Sequence, residues 1–381
     1  MAGLYVHIPF CRQRCVYCDF YFVTGHRDHS AFVEAITKEI RQSASQPPIE
    51  PLSTIYLGGG TPSRLASHDV DAILKAIRSA FDTSSVTEIT MELNPEDSTR
   101  SYLQALKDLG INRVSMGVQS FFDDELQFMN RSHSADQANS ALVHIAEAGF
   151  ESYTADLIFG LPGQPNERWA ENLNRLMAFD VPHVSTYALT VEEKTPLHKQ
   201  IAKGLITPAA DGVVSEHYQT AMDMLRDRGF EHYEISSFAR PGHRSRHNSQ
   251  YWTHANYLGL GPSAHSFWWD RSKGACRWNN IRNLRKYVLA IRSGTSTVAY
   301  REALTSKILA LERIMLSLRT TEGLDLKMLN CTYGVDLIAL RGPIIDKLSK
   351  AGLIQGDRKF LSLTDRGKHL CDSVVARLAP W

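Results

Sequence analysis

The run His7-Ile8-Pro9-Phe10-Cys11-Arg12-Gln13-Arg14-Cys15-Val16-Tyr17-Cys18-Asp19-Phe20-Tyr21-Phe22 sets three of the chain's six cysteines at the spacing Cys-x3-Cys-x2-Cys. That spacing supplies three thiolates and no fourth. A closed structural metal site takes four protein ligands, whereas a catalytic one keeps a position open. Soft thiolates select zinc, copper(I) or iron–sulfur clusters, and three of them on a four-iron cluster leave one iron free to bind something else. The competing reading is a zinc knuckle completed by His7 or His26. A disulfide framework fits less well, because Cys276, Cys331 and Cys371 are scattered along a long chain. No secretory signal precedes the cluster, and Met1 runs almost directly into the strand-like Leu4-Tyr5-Val6-His7-Ile8. A reducing cytoplasm is therefore the expected setting.

Outward from the cysteines, the first half alternates β-branched runs with amphipathic helical stretches. The expected strands are Leu4–Ile8, Thr54–Leu57, Glu88–Glu92, Arg113–Val118, Ser152–Ile158 and His183–Ala188. The intervening helices are expected at Ala31–Arg41, Asp69–Phe81, Thr99–Leu109, Ala135–Ala148 and Glu167–Phe179. Gly110 and Gly149 follow the last apolar positions of two of them, a C-terminal stop signal. Alternating strands and helices imply an α/β chain with a parallel sheet and right-handed crossovers. Six units are too few for an eight-fold barrel, so the expectation is an open, partial (β/α)6 barrel over residues 1–190. Ligands in such sheets sit beyond the carboxyl ends of the strands.

From about residue 190 the regularity fades into a stretch rich in Tyr, Trp, His and Asn, with a helix expected at Val213–Arg228. Residues 191–298 are read as a linker region packed on the barrel. Residues 299–381 turn helical again at Thr305–Leu318, Lys327–Cys331 and Gly342–Ala351, then form a hairpin around Gly356–Lys359 and a final helix. That α+β extension is read as a winged-helix-like module, whose interleaved acids and bases favour packing over DNA binding. The net charge of +1 points to no nucleic-acid partner. No apolar run approaches the roughly 20 residues that span a bilayer.

Each strand end contributes something polar. Strand two runs into Gly58-Gly59-Gly60-Thr61-Pro62, where the missing Cβ atoms let backbone groups approach a ligand, although a flexible turn reads equally well from this segment alone. Glu92 ends strand three, where an acid accepts from ribose hydroxyls in nucleotide-binding folds; a solvated loop acid is the plain alternative. Gln119 ends strand four, Arg131 follows as a bidentate carboxylate partner, and Asp156 sits on strand five ahead of Gly160-Leu161-Pro162-Gly163. Together these describe a site for a ligand with a ribose and a zwitterionic amino-acid end, beside a metal cluster.

The cysteine loop, Gly-Gly-Gly-Thr-Pro, Glu92, Gln119, Arg131 and Asp156 together resemble the radical S-adenosylmethionine superfamily over nearly the whole chain. The nearest branch is the one that holds the oxygen-independent coproporphyrinogen III oxidases and the haem chaperones of the HemW family. The resemblance implies a 4Fe–4S cluster on Cys11, Cys15 and Cys18, with S-adenosylmethionine chelating the open iron. Tyr5, Gly59, Gly60 and Thr61 would line the methionine end, Glu92 the ribose, and Gln119, Arg131 and Asp156 the rest. In this superfamily an electron from the cluster cleaves the cofactor to methionine and a 5′-deoxyadenosyl radical.

Two departures separate the chain from the oxidases. Their cysteine pattern continues to a fourth cysteine, where this chain has Phe20, and they carry an extended N-terminal segment. A positive marker is His247-Asn248-Ser249-Gln250-Tyr251-Trp252, similar to the H-N-x-x-Y-W motif associated with haem in the chaperone branch. Imidazole ligates haem iron, and Tyr and Trp pack on porphyrin faces. His243, His254 and His265 are alternative ligands, and a structural loop histidine is the plain reading of His247. The expected function is haem binding and delivery to haem-dependent respiratory enzymes, some of them membrane-bound. The protein would then meet the membrane only through its partners, and the sequence is compatible with a homodimer. The rivals are oxidative decarboxylation of coproporphyrinogen III, radical modification of haem, and a zinc-stabilised binding module.

Overall fold

A computed structural model describes residues 1–25, 28–44, 50–357 and 359–380; His26 lies outside the described residues. The six expected strands are present as β1 (Ala2–Ile8), β2 (Leu52–Gly59), β3 (Glu88–Leu93), β4 (Arg113–Gln119), β5 (Ser152–Phe159) and β6 (His183–Ala188). They pair in parallel, each with the next. Along them apolar residues of the core, such as Met91, Val114, Met116, Ala155 and Val184, alternate with polar ones such as Thr90, Glu92, Ser115, Asp156 and Ser185. The helices His29–Ser43, Ser67–Ala80, Arg100–Asp108, Ala135–Glu147 and Asn166–Met177 are the crossovers. The fourth starts at a capping box between Ser134 and Gln137, and Gly149 just beyond it takes φ 71°. Fully buried Phe32, Ile36, Ile73, Leu103, Leu142 and Trp169 fill the space between helices and sheet.

The stretch after Pro182 departs from the expectation of fading regularity. It adds β7 (Glu231–Glu234), β8 (Ser237–Ala239), β9 (Tyr257–Leu260), β10 (His265–Asp270), β11 (Gly274–Asn280) and β12 (Val298–Leu304). All twelve strands form one open sheet in the order β12-β11-β10-β9-β1-β2-β3-β4-β5-β6-β8-β7. β9 pairs in parallel with β1, while the strands beyond it and beyond β6 are antiparallel, so the sheet is mixed. These strands escaped the pattern because they are short or carry polar residues on both faces, as in Gly-Ala-Cys-Arg-Trp-Asn-Asn of β11.

A second apolar cluster, including Leu309, Ile314, Leu329, Leu348, Leu361 and Leu378, holds the C-terminal elements. Helices Ser306–Leu318, Leu326–Tyr333 and Leu337–Lys350 precede an antiparallel hairpin of β14 (Ile354–Gly356) and β15 (Phe360–Leu363), with β13 (Leu324–Asp325) on its other edge. Polar ties join this unit to the helix Asp211–Asp227 beside the barrel: Arg226 to Asp365 at 2.6 Å and Ser215 to His369 at 2.8 Å.

Candidate functional site

The inner face of the barrel is polar near the carboxyl ends of its strands. Strand alternation brings Tyr5 beside Tyr56, Glu92 beside Ser115 and Asp156 beside Ser185. Above this layer lies a cavity of about 1360 Å³. Cys11, Cys15, Cys18, Tyr5, Gly59, Gly60, Thr61, Glu92, Gln119, Arg131 and Asp156 all line it. Every residue the sequence assigned to the cluster and to S-adenosylmethionine therefore faces one space.

The loop after β1 is held by its backbone. Gly60 N–H donates to Ile8 O at 2.8 Å, Thr61 N–H to Phe10 O at 2.6 Å, and Val16 N–H to Met129 O at 3.1 Å. A Cβ on Gly60 would lie 2.8 Å from Phe10 O, so the glycine run serves a close approach of two loops rather than flexibility. Burial pushes the Cys11 thiol up to about 12 and the Cys18 thiol up to about 11. Bound metal reverses that preference, since a coordinating thiol is deprotonated outright. Two donors face the sulfurs: Thr61 Oγ1 at 3.6 Å from Cys11 Sγ and Arg131 Nη1 at 3.5 Å from Cys15 Sγ.

A zinc knuckle completed by His7 fares poorly on this geometry. His7 Nε2 bonds the Tyr21 carbonyl at 2.9 Å and Nδ1 meets the Tyr5 hydroxyl at 3.1 Å, so neither nitrogen is open to a metal. Among the described residues no three His, Cys, Asp or Glu side chains converge on a single-ion site.

Glu92 and Asp156 form the acid layer. Glu92 accepts the Tyr56 hydroxyl at 2.9 Å and Gly59 N–H at 3.0 Å, and burial still pushes its carboxyl up to about 7. Asp156, raised to about 6 by burial, accepts from Ser115 at 3.2 Å. Gln119 sits in the left-handed region at φ 65°, a strained conformation of the kind that clusters at functional sites. Its Oε1 and the Nε of Arg131 are buried without partners. Those open polar atoms, with three thiols and a glycine cradle, fit a cluster and a polar cofactor. Arg131 differs in emphasis from the expectation of a carboxylate clamp. Its Nη2 is spent on Asn94 Oδ1 at 2.8 Å and Gly117 O at 2.9 Å, and its other arm faces Cys15.

The haem motif forms a short helix, Arg246–Tyr251, inserted into the barrel. Ser245 caps it, and the Glu88 carboxylate takes the N–H groups of Arg246 and His247, both at 2.9 Å. His247 is 1% exposed. Its Nδ1 pairs with Thr54 Oγ1 at 2.8 Å and its Nε2 with the Tyr251 hydroxyl at 2.8 Å. Burial drives its pKa down to about 3, so the ring is neutral. His247, Asn248 and Tyr251 line the cavity whereas Trp252 does not; Trp252 packs under Arg319, and its carbonyl accepts from Arg313 at 2.9 Å. None of His243, His254 and His265 lines the cavity. His254 instead bonds the Tyr333 hydroxyl at 3.0 Å at the junction with the C-terminal unit.

Two sets of lining residues carry no signal that the motifs could reveal. Tyr56 looks like an ordinary strand aromatic, although its hydroxyl in an otherwise apolar run is a weak hint. Arg319, Lys368, His369 and Leu370 reach the cavity only because the C-terminal unit folds back on the helix Asp211–Asp227.

Comparison with known proteins adds independent findings. The model of the Radical SAM superfamily matches residues 5–176, and that of the HemN C-terminal domain matches residues 304–370. The heme chaperone HemW of Lactococcus lactis subsp. lactis is 32% identical over 375 residues, covering 98% of this chain and 96% of that protein. HemW of Bacillus subtilis is 32% identical over 377 residues, 98% of each chain. The structure of the radical SAM enzyme coproporphyrinogen III oxidase (HemN) from Escherichia coli superposes with a TM-score of 0.85 at 25% identity, over 99% of this chain and 90% of that one.

Proposed function

This chain belongs to the HemW family of radical S-adenosylmethionine proteins, and from that premise we propose that it binds haem and delivers it to haem-dependent proteins. It carries a 4Fe–4S cluster and S-adenosylmethionine beside the haem. The single observation that supports the reading best is the shared cavity, which joins the cysteine loop, the acid layer and residues of the haem motif in one space.

Cys11, Cys15 and Cys18 would hold the cluster. Tyr5, Gly59, Gly60 and Thr61 line the methionine end of the cofactor, Glu92 receives the ribose, and Gln119, Arg131 and Asp156 complete the wall. When bound, the cluster supplies one-electron chemistry to the cofactor's sulfonium. The chain's own residues bind and orient: Gly59 N–H and the Tyr56 hydroxyl aim Glu92, and the Ser115 hydroxyl holds Asp156. Asn248 and Tyr251 are the motif residues within reach of a flat ligand in the cavity, with Trp252 backing them from outside.

Phe20 supports delivery over oxidation. It stands where the oxidase pattern has a fourth cysteine and presents a side chain 68% exposed at the cavity, an apolar surface suited to a porphyrin face. The acceptors are proposed to be respiratory haem proteins met at a membrane surface from the cytoplasm. No helix among the described residues is long and apolar enough to cross a membrane. A homodimer is compatible with this role.

The deciding experiment incubates the anaerobically reconstituted protein with S-adenosylmethionine, a reductant and coproporphyrinogen III, with an authentic oxidase as control. Mass spectrometry is expected to find no decarboxylated porphyrinogen, and the same protein is expected to pass haem to an apo-cytochrome. Appearance of mono- or di-decarboxylated product would make the protein a biosynthetic oxidase.

A further inference from the structure

Inside the barrel three rings stack in a row. Tyr5 and Tyr56 lie with centroids 6.1 Å apart and planes at 28°, and Tyr56 and His247 lie 5.0 Å apart, also at 28°. Tyr56 is therefore in ring contact with both neighbours. Its hydroxyl, at the edge of that stack, donates to Glu92. Two glycines make room for the arrangement. A Cβ on Gly3 would lie 2.8 Å from Gln250 Oε1 and 3.2 Å from His247 Cε1, and one on Gly58 would lie 2.8 Å from the Tyr56 ring and 3.0 Å from Glu92 Oε1.

We infer that His247 is a positioning residue of the S-adenosylmethionine site: locked inside the barrel at both ring nitrogens, it fixes the Tyr56 ring, and Tyr56 aims the Glu92 carboxylate. It is not a ligand of haem iron. This inference rests on the assignment of Glu92 to the cofactor ribose. An axial ligand needs a free ring nitrogen, and here Thr54 takes one and Tyr251 the other. Freeing either nitrogen would break one of these hydrogen bonds inside the barrel. The helix that carries His247 is also anchored too firmly to swing out. Glu88 holds its first N–H groups, and Gln250 Nε2 donates to Ser53 Oγ at 2.7 Å. The helix Arg246–Tyr251 is thus the floor of the cofactor cavity, and the segment read as a haem motif acts on the cofactor acid from below.

The test uses the full chain and S-adenosylhomocysteine, an uncleavable probe with the same ribose, followed by calorimetry. His247→Ala and Tyr56→Phe are each expected to weaken its binding roughly tenfold, the scale of one hydrogen bond to a charged acceptor. Tyr56→Phe keeps the ring and the stack, so it reads the hydroxyl alone should His247→Ala fold poorly. The double variant is expected to be no weaker than His247→Ala, because both act through one carboxylate. Haem added to His247→Ala is expected to show an unchanged Soret position and spin state. An altered haem spectrum with undiminished probe affinity would overturn the inference and restore His247 as the iron ligand. Additive losses in the double variant would also overturn it, by showing that the two residues act separately. Glu92→Gln distinguishes the premise: undiminished probe affinity there would sink the ribose assignment itself, whatever His247 does.

Discussion

The guanidinium of Arg131 lies 3.5 Å from the sulfur of Cys15, a residue 116 positions earlier in the chain. Arg131 lines the cavity, and none of the described carboxylates is within ion-pair distance of it. Asn94 and Gly117 offer it neutral oxygens, and Nε has no partner at all. Burial disfavours its charge, yet Tyr17, Cys15 and Glu96 around it hold the guanidinium protonated. The thiolates of a bound cluster would place further negative charge against the same guanidinium.

Arg131→Met is therefore expected to weaken the cluster. The loaded variant should show a midpoint potential more negative by on the order of 50 mV, about tenfold in the one-electron equilibrium, since a donor to a cluster sulfur raises the potential. A redox titration followed by electron paramagnetic resonance reads this directly. An unchanged potential would show that Arg131 acts on the cofactor alone.

Cys15→Ser should lose the intact cluster, with iron content and the brown chromophore both falling. Cys371→Ser should keep both, because Cys371 sits on the C-terminal unit at the far wall of the cavity. Iron analysis of the two reconstituted variants separates a site built on the three clustered cysteines from one that recruits a distant thiol.

Glu92 carries a pH dependence with a definite sign. Burial raises its folded pKa from 4.5 to about 7, so the folded state holds this proton more tightly than the unfolded chain does. Its contribution to stability is fully present below pH 4.5, falls as pH rises from there to about 7, and is flat above. Glu92→Gln removes that slope. In the cofactor-free protein the difference in unfolding free energy between Glu92→Gln and wild type should move in favour of the variant between pH 5 and 8, by at most about 3 kcal/mol at 1.36 kcal/mol per unit. Urea titrations at the two pH values measure it. A difference that stays constant with pH would contradict the raised pKa.

Glu39 is a structural counterpart with no open side. Its carboxylate accepts the Tyr287 hydroxyl and Gly261 N–H, both at 2.7 Å, Asn280 Nδ2 at 2.8 Å and Thr297 Oγ1 at 2.9 Å. These bonds tie the first crossover helix to the turn after β9, to β11, to the helix Leu284–Ser293 and to the loop before β12. Glu39→Gln puts an amide NH2 against donors and should cost about 2–3 kcal/mol. Thermal unfolding should shift down by several degrees, while iron bound per folded chain after reconstitution stays at the wild-type level. An unchanged melting point would mean that the network rearranges without loss.

Much of the barrel was legible because its information is local. The strands from Leu4 to Ala188 and their helices follow from apolar period and from stops such as Gly149, and all six strands lie where the pattern puts them. The triad Cys11, Cys15, Cys18 is legible for the same reason: eight residues of chain carry the donor set. The acid layer was legible by position alone, Glu92 near the end of its strand and Asp156 on the next strand but one. What lay out of reach was the company these residues keep. Strands β7 to β12 are short or carry polar residues on both faces, so only pairing with the sheet makes them strands.

The sequence by itself determined the fold class, the cluster loop and the set of residues that meet at the strand ends, since periodicity and close spacing act within a few turns of chain. Tertiary structure alone decided that His247 has no free nitrogen, its Thr54 partner lying 193 residues away. It also decided that Arg131 faces a sulfur and that Lys368 and Leu370 close the far wall of the cavity. Those facts depend on which distant segments are brought together when the sheet assembles and the C-terminal unit folds back, and hydrogen-bond partners across such distances leave no mark on local pattern.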